Sequence, residues 1–369
     1  MTFKQLGIKD SYIQGLSELG IKNPTEIQEQ TIPILLNDTT DFIGLAQTGT
    51  GKTAAFGLPV LNQIDASQPL VQALILSPTR ELVQQIKKQL FKFTKYVDEK
   101  IFIEAVFGGE KIDKQINNLR RPTHIIVATP GRLIDLIEQK AVNLRSIQTV
   151  VLDEADEMLS MGFKQELNKI LDYTNGNRKT WLFSATFPEE IRRIVKTYMK
   201  GEIAKVEVNK NALVNANISH QYKITALADK LNNLIGILED RAEERGIIFC
   251  RTKLGVQKLA NELQEEGFSV GALEGDMQQK ERDKVMRAFK NETIQYMVST
   301  DVSARGIDVK DLGFILHHQL PEKMEYYTHR SGRTARAGKK GHSIALVLHS
   351  EMQQIYDIQK KLGIQFEEI

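Results

Sequence analysis

The sequence has one cysteine, no long hydrophobic run and almost no net charge among its 369 residues. The single thiol, Cys250, cannot form an internal disulfide, which excludes a disulfide-stabilised fold and suits a reducing compartment. No apolar run approaches the ~20 residues that span a bilayer, and the opening residues MTFKQLGIKD contain no signal-peptide hydrophobic region. We therefore expect a cytoplasmic protein with no membrane partner, and a buried strand position for Cys250.

The net charge of +2 neither excludes nor demands a nucleic-acid partner, so any basic surface must be local. Hydrophobic residues make up 41% and charged residues 26% of the chain, as in ordinary soluble globular proteins. The length exceeds what one hydrophobic core usually supports. Composition therefore predicts two domains and leaves the function open.

Short apolar runs alternate with helix-period segments, a pattern typical of α/β domains with mainly parallel sheets flanked by helices. Residues 209–217, NKNALVNAN, are polar, rich in asparagine and without a clear period, so we interpret them as a linker. This predicts an amino-terminal domain at residues 1–208 and a carboxy-terminal domain at residues 218–369. The unusual residues of each run stand at its carboxyl end, where open parallel sheets bind ligands.

The two halves of the sequence resemble each other. LILSPTRELVQQIKKQL aligns with IIFCRTKLGVQKLANEL, so that Thr79 matches Thr252, and two further strand-like runs lead into Thr129 and Thr300. A duplicated α/β unit explains this match. The alternative is a coincidence between segments that share only the general pattern of a strand followed by a helix.

The stretch AQTGTGKT, Ala46 to Thr53, follows an apolar strand candidate and precedes a helix candidate. In a phosphate-binding loop, glycines let backbone N–H groups converge on an anion, and the following helix adds its positive end. Lys52 would reach the β- and γ-phosphates, and the Thr53 hydroxyl would face a magnesium ion. Ala46 stands where the general pattern has its first glycine, so an ordinary turn is the alternative. Residues of this phosphate loop predicted to bind nucleotide are Gln47, Thr48, Gly49, Thr50, Gly51, Lys52 and Thr53.

An acidic loop, Asp153 to Asp156, closes another apolar run. In a phosphate-loop enzyme Asp153 would hold the magnesium ion, and Glu154 would orient or deprotonate the attacking water. A solvated acidic surface is the alternative, which the preceding strand and the phosphate loop make the minor one. Ser184 and Thr186 end a later run without an assignable base, so we predict a hydrogen-bonded link between the acidic loop and the rest of the site.

Three more apolar runs end in a segment with a hydroxyl, a flexible backbone or an arginine: PTREL, the glycine pair and TPGR. These groups suit contacts to a phosphodiester backbone. Each alone could be only a turn and a helix cap, but three at one sheet edge favour an extended anionic ligand. The residues concerned are Pro78, Thr79, Arg80, Gly108, Gly109, Thr129, Gly131 and Arg132.

Arg330, Arg333 and Arg336 recur every three residues around His329, so several cations would share one face of a helix or turn. Crowded arginines repel each other unless an anion is present. A nucleotide γ-phosphate supplied by the other domain would satisfy them, a role worth ~10³ to 10⁵ in rate. The alternative, for Arg330 in particular, is a basic patch for nucleic acid.

Together these motifs resemble those of the DEAD-box ATP-dependent RNA helicases of superfamily 2. The resemblance covers almost the whole chain, and the motifs occur in family order: PTEIQ, AQTGTGKT, PTREL, GG, TPGR, DEAD, SAT, IIFCRT, STDVSARGID and HRSGRTAR. It implies two tandem RecA-like domains joined by a flexible linker, in a bacterial-type minimal core. Because the chain stops at Ile369 without a basic tail, we expect no targeting of a particular RNA by an extension.

The resemblance also implies roles for single residues. Gln28 would read the adenine edge, with Phe3 stacking on the base, Thr25 near it and Asp308 near the ribose. Ser184, Thr186 and Asp156 would couple hydrolysis to strand separation. The residues implied to be catalytic are Lys52, Glu154, His329, Arg333 and Arg336. The residues implied to contact RNA are Pro78, Thr79, Arg80, Gly108, Gly109, Thr129, Gly131 and Arg132 in the first half, and Arg251, Thr252, Gly275 and Thr300 in the second.

Three positions depart from the family pattern. Glu274 replaces a common histidine, and an extra carboxylate there would weaken RNA binding. Ser331 replaces a common isoleucine and Ala335 a common glycine, both mild changes.

We interpret the chain as an RNA-stimulated, ATP- and magnesium-dependent helicase that is monomeric and separates short duplexes locally at the cleft between its domains. Contacts to phosphates and 2′-hydroxyls would make RNA binding sequence-independent. Because ATP and RNA would each favour the closed pair of domains, their binding should be positively coupled. The alternatives are a DNA-directed or processive translocase, and an RNA clamp that ATP merely locks.

We predict that Lys52→Ala and Glu154→Gln each abolish RNA-stimulated ATP hydrolysis, because the first removes the phosphate-binding cation and the second the base. The measurement is phosphate release with and without RNA. Vigorous hydrolysis without nucleic acid, or equal stimulation by DNA, would contradict this interpretation.

Overall fold

The computed structural model describes residues 1–37, 40–47, 49–174, 176–208, 217–304, 309, 312–335 and 339–369. The chain divides into two compact units, Met1–Val208 and Asn209–Ile369. Of the predicted linker only Asn217 is described. The predicted site residues Thr48, Asp308 and Arg336 also lie outside the described residues.

In its described part, the first unit contains a seven-stranded sheet whose neighbouring strands are parallel. Its strands are β1 (Asp41–Leu45), β2 (Ala73–Leu76), β3 (Ile103–Val106), β4 (Ile125–Ala128), β5 (Thr149–Leu152), β6 (Lys179–Ser184) and β7 (Ile203–Glu207). Its helices are α1 (Asp10–Glu18), α2 (Glu26–Asn37), α3 (Lys52–Gln63), α4 (Arg80–Phe93), α5 (Ile112–Leu119), α6 (Pro130–Glu138), α7 (Ala155–Ser160), α8 (Lys164–Tyr173) and α9 (Glu189–Tyr198). The spatial order of the strands is β3-β4-β2-β5-β6-β1-β7.

Helices cover both faces of this sheet, which is why its strands are continuous apolar runs. Successive side chains of a strand point to opposite faces. Phe42 accordingly packs in one hydrophobic core and Ile43 in the other, and on β6 Trp181 and Leu182 divide in the same way. With both faces buried, polar side chains are left to the strand ends.

In its described part, the second unit contains another seven-stranded parallel sheet. Its strands are β8 (Ile218–Ile224), β9 (Gly246–Phe249), β10 (Val270–Leu273), β11 (Tyr296–Ser299), β12 (Phe314–His317), β13 (Gly341–Val347) and β14 (Phe366–Glu368). Its helices are α10 (Lys230–Glu239), α11 (Lys253–Glu265), α12 (Gln279–Lys290), α13 (Asp301–Ala304), α14 (Met324–Ser331) and α15 (Met352–Leu362). The predicted α/β class with mainly parallel sheets is confirmed in both units.

The two sheets have the same topology. Numbered within its own unit, each runs third, fourth, second, fifth, sixth, first, seventh. Thr79 and Thr252 both follow the second strand and cap the next helix, accepting hydrogen bonds from the N–H groups of Leu82 at 3.3 Å and Gly255 at 3.0 Å. The duplication predicted from the sequence is confirmed, because a chance likeness between two segments would not reproduce a whole strand order.

Cys250 directly follows β9 and is 1% exposed, so the predicted burial is confirmed. Burial raises the pKa of its thiol to about 12, which keeps it neutral and unreactive. Within the described parts of the chain, every helix is too short or too polar to cross a membrane.

Two histidines of the second unit, His220 and His317, are buried, and His318 is half-buried. Burial lowers the pKa of His220 on β8 and of His318 to about 4. Burial lowers the pKa of His317, the last residue of β12, well below its usual value, and the nearby Arg330 cation lowers it further. All three side chains are therefore neutral at pH 7.

We predict that these histidines make the second unit acid-labile. In the unfolded chain they take a proton near pH 6.5, whereas His220 and His318 take one in the folded state only near pH 4. Between pH 6.5 and pH 4 the unfolded chain binds more protons than the folded one, so the free energy of unfolding falls as the pH falls. The loss is about 2 kcal/mol per histidine between pH 7 and pH 5. Urea unfolding of the wild type and His220→Gln at both pH values measures this, and a pH dependence unchanged in the variant would contradict it.

Candidate nucleotide and RNA sites

The phosphate loop joins the end of β1 to the start of α3, as predicted. Gly49 and Gly51 have φ angles of +84° and +96°, in the left-handed region that glycine adopts without strain. A β-carbon at Gly51 would lie 2.4 Å from the Gln28 side-chain nitrogen, so another residue at this position would displace the Gln28 amide. The backbone geometry suits a loop that brings N–H groups close to an anion.

Lys52, the first residue of α3, is 6% exposed and folds back on its own loop. Its Nζ donates a hydrogen bond to the Ala46 carbonyl oxygen at 2.6 Å. Its charge also acts to lower the pKa of Asp153, so the ammonium lies within electrostatic reach of the acidic loop. The cation therefore lies at the centre of the phosphate loop, beside the carboxylates.

Thr25 and Gln28 hold the phosphate loop directly. The Thr25 hydroxyl donates to the Thr50 carbonyl oxygen at 2.8 Å, and Gln28 Nε2 donates to the Gly51 carbonyl oxygen at 2.9 Å. Gln28 Oε1 in turn accepts from the Thr25 N–H at 3.0 Å. The sequence motif indicated an adenine contact and not this support of the loop, which no local spacing encodes. Phe3, predicted to stack on the base, is 2% exposed and packs in the first unit's core.

Asp153 directly follows β5 and is 5% exposed. Within the described residues its Oδ1 has no hydrogen-bond partner. Burial, followed by the charge of Glu154, raises the pKa of Asp153 well above its usual range, because a carboxylate is costly in a dry site. A cation placed there would relieve this cost.

Magnesium fits this donor set. It is a hard cation that proteins bind through one or two carboxylates, leaving the other positions to water and substrate phosphates. The buried Asp153 carboxylate is a ligand of this kind, and the Thr53 hydroxyl at the start of α3 offers one further oxygen. No group of three or more His, Cys, Asp or Glu residues suited to a metal occurs in the described residues, so a site formed by protein ligands alone is not found there.

Glu154 is 7% exposed and caps α7 with φ +50° and ψ +51°. A residue with a β-carbon pays about 1–2 kcal/mol in this left-handed conformation. Such strain clusters at functional sites, where the surrounding structure enforces it. The sequence pattern predicted the carboxylate but not this conformation.

The predicted link between the acidic loop and β6 is confirmed, and Asp156 makes it. Asp156 Oδ2 accepts from both the N–H and the hydroxyl of Thr186 at 2.8 Å. The Asp156 N–H donates to the Ser184 hydroxyl at 3.3 Å. Two bonds to one threonine fix the segment after β6 relative to Glu154.

The three predicted phosphodiester motifs lie at one edge of the first sheet, as expected. They follow β2, β3 and β4, which are neighbours in the sheet. Arg132 Nη1 donates to the Glu110 carbonyl oxygen at 2.9 Å, which ties TPGR to the glycine pair. The Arg80 guanidinium lies 4.8 Å from the centre of the Phe107 ring, and Gly109 has a φ of +82°.

In the second unit Thr252, Gly275 and Thr300 lie just beyond the ends of β9, β10 and β11, three neighbouring strands. Arg251 Nε donates to the Leu320 carbonyl oxygen at 2.6 Å. Thr300 accepts from the Ser303 N–H at 3.4 Å and so caps α13. The second sheet therefore presents the same kind of edge as the first.

Glu274, whose carboxylate was predicted to weaken RNA binding, is turned into the unit. Glu274 is 3% exposed, and its oxygens accept from Gln257 Nε2 at 3.2 Å and from the Asp276 N–H at 2.6 Å. The carboxylate is held inside the unit and supports the loop around Gly275.

The prediction that three arginines await one anion is wrong for Arg330. It is 2% exposed, and its Nε and Nη2 donate to the two oxygens of Asp301 at 2.5 and 2.7 Å. An internal carboxylate already neutralises it, which also excludes a surface patch at Arg330. His329 lies on α14 and is half-buried. Arg333 lies just after the helix and is 6% exposed. Ala335 has a φ of +54°, a conformation in which glycine would be unstrained.

A family model described as DEAD/DEAH box helicase matches residues 25–194, and one described as helicase conserved C-terminal domain matches residues 229–338. The DEAD-box ATP-dependent RNA helicase CshA of Bacillus cereus is 40% identical over 359 residues, which cover 97% of this chain and 68% of that protein. The chain belongs to the DEAD-box helicase family. As a DEAD-box protein it is an ATP-dependent RNA helicase and an ATP hydrolase.

Solved DEAD-box structures share its fold. Dbp5 of S. cerevisiae bound to RNA and ADP BeF3 has a TM-score of 0.90 at 30% identity, covering 100% of this chain and 95% of that one. Mss116p bound to ssRNA and AMP-PNP has a TM-score of 0.90 at 29% identity, covering 100% of this chain and 80% of that one. The two units are tandem RecA-like domains, as the resemblance implied.

We predict that Glu154→Gly raises the free energy of unfolding by about 1 kcal/mol while abolishing hydrolysis, because it relieves the left-handed strain and removes the carboxylate. Lys140, with a φ of +55° at an exposed position, provides the control. Lys140→Gly should gain similar stability and keep full activity. Thermal unfolding and phosphate release test both variants, and a stability loss in Glu154→Gly would show that its conformation is not strained.

Proposed function

We propose that this DEAD-box protein couples RNA-stimulated ATP hydrolysis to local, non-processive separation of RNA duplexes or remodelling of ribonucleoproteins. The observation that supports this coupling most is Asp156. It belongs to the loop that bears Glu154, and its carboxylate holds Thr186 by two hydrogen bonds. A shift of the acidic loop around a changing γ-phosphate would therefore carry the segment after β6 with it.

The proposed nucleotide site begins at the phosphate loop. Lys52 exchanges the Ala46 oxygen for β- and γ-phosphate oxygens, and Gln28 and Thr25 select adenine while holding the loop. Asp153 and Thr53 hold magnesium, which when bound neutralises charge on the phosphates. Glu154 accepts the proton of the attacking water. The other proposed nucleotide contacts are Phe3, Gln47, Thr48, Gly49, Thr50, Gly51 and Asp308.

The second unit is proposed to complete the reaction with His329, Arg333 and Arg336, which would contact the γ-phosphate. Cations there stabilise charge that develops in the transition state. The internal Arg330–Asp301 pair leaves Arg330 out of this set.

The strand-end groups of both sheets are proposed to bind RNA through phosphates and 2′-hydroxyls. Backbone N–H groups, hydroxyls and arginines at helix starts suit such contacts and read no base sequence. Selectivity for RNA over DNA would then come from the sugar. The proposal includes a monomer in the cytoplasm, a compartment that suits its single buried thiol.

The test compares the wild type with Glu154→Gln. The variant should bind RNA together with an ATP analogue as tightly as the wild type, and lose turnover and unwinding by at least about 100-fold, because only the base is missing. Glu157→Gln is the matched control, a carboxylate 5% exposed on α7 outside the proposed machinery, and it should turn over ATP normally.

Substrates of different length and sugar distinguish the remaining possibilities. Non-processive separation predicts a steep fall in unwinding rate when the RNA duplex is doubled in length. Equal activity on DNA, or no dependence on length, would indicate a translocase and sink the proposal. Tight ATP-dependent RNA binding without turnover in the wild type would indicate a clamp.

A further inference from the structure

A buried group of polar side chains connects α14 to the sheet of the second unit. Tyr327, Arg330 and Ser331 lie on the inward face of α14, each at most 2% exposed. Their spacings of three and four residues place them on one side of the helix. Hydrogen-bonding side chains of three strands face them: His220 on β8, His317 on β12 and Ser343 on β13.

Ser343 is the centre of this group. Its Oγ lies 2.8 Å from the Ser331 hydroxyl, 3.0 Å from His317 Nε2 and 3.2 Å from the Tyr327 hydroxyl. The Tyr327 hydroxyl lies 2.7 Å from His220 Nδ1. These contacts join the helix to β8 and β13 through oxygen atoms that are fully buried.

Arg330 sets the direction of the bonds around His317. A guanidinium can only donate, so His317 Nδ1, 3.2 Å from Arg330 Nη1, accepts. His317 Nε2 then carries the proton and donates to Ser343. Ser343 has one hydrogen left to give and donates it to Tyr327. The tautomer of His317 therefore follows from one permanent cation.

Such bonds constrain a helix in a way that apolar packing does not. Hydrophobic contact is non-directional, whereas hydrogen bonds weaken steeply away from their preferred angles. Attachment to three different strands opposes both rotation of α14 about its axis and sliding along it. His329 lies on the same helix between Tyr327 and Ser331, so its position is fixed by these attachments.

We propose that Tyr327, Ser331, Ser343 and His220 are positioning residues for hydrolysis, which act by holding α14 so that His329 meets the nucleotide correctly. The inference rests on the proposed role of His329. This explains Ser331, which replaces the isoleucine common in the family, because an apolar side chain could not form the hydrogen bond to Ser343.

The first experiment compares Tyr327→Phe with Tyr296→Phe. Tyr296 is another buried tyrosine of the same unit, and its hydroxyl donates to the carbonyl oxygens of Leu238 and Arg241, on and just after α10. We expect Tyr327→Phe to lower kcat for RNA-stimulated hydrolysis by about tenfold with little change in KM for ATP, because misplacement affects the transition state more than binding. Tyr296→Phe should keep the wild-type kcat, even where it lowers the melting temperature.

A double-mutant cycle on Ser331→Ala and Ser343→Ala tests whether the group acts as a unit. We expect the double variant to lose about as much kcat as Ser343→Ala alone, since Ser343→Ala already removes the bond between the two hydroxyls. Ser331→Thr, which keeps a hydroxyl, should recover part of the loss. The Ser331→Ala arm also carries the test should Tyr327→Phe fail to fold.

An unchanged kcat in folded Tyr327→Phe and Ser331→Ala, or an equal loss in Tyr296→Phe, would overturn the inference. His329→Ala separates it from the proposed function. A normal kcat in His329→Ala would refute the role of His329 itself. A loss in His329→Ala without one in Tyr327→Phe would refute only the positioning group.

Discussion

In a parallel sheet covered on both faces, polar side chains are confined almost entirely to the strand ends, and this constraint organises both units. The phosphate loop, the acidic loop and the segment after β6 follow three strands, β1, β5 and β6, that are neighbours in the first sheet. Parallel strands end at the same edge, so residues that are distant in the sequence meet there, as Asp156 and Thr186 do across a separation of 30 residues. The edge is a consequence of topology, and the chemistry follows from the residues placed there.

Within that edge the main tension is between charge and burial. Lys52, Asp153, Glu154 and Asp156 are all at most 7% exposed. Like charges in a dry site raise each other's energy, and Lys52 offsets only part of it. A metal ion bound together with the nucleotide phosphates, as proposed, would offset this excess of negative charge.

Much of this could be predicted from the sequence. Strand runs, the phosphate loop, the acidic loop and the duplication depend on local spacing, which fixes what each segment becomes. The partners of buried polar groups do not depend on local spacing. The Asp301 bond to Arg330, the Gln257 bond to Glu274 and the support of Gly51 by Gln28 all join residues from separate elements. The left-handed backbone of Glu154 is imposed by its surroundings, so a glutamate in the sequence gives no sign of it.

The shared strand order of the two units has a consequence for folding fidelity. A chain that carries the same architecture twice can exchange equivalent strands between its copies while it folds, a characteristic error of repeated domains. Divergence of the two cores opposes this exchange. The first strand of one unit packs Phe42 against Phe183, whereas the first strand of the other bonds His220 to Tyr327. In the wrong sheet, the strand that carries His220 would bury its imidazole without a hydrogen-bond partner. The polar group beneath α14 therefore disfavours exchange of this strand between the two units.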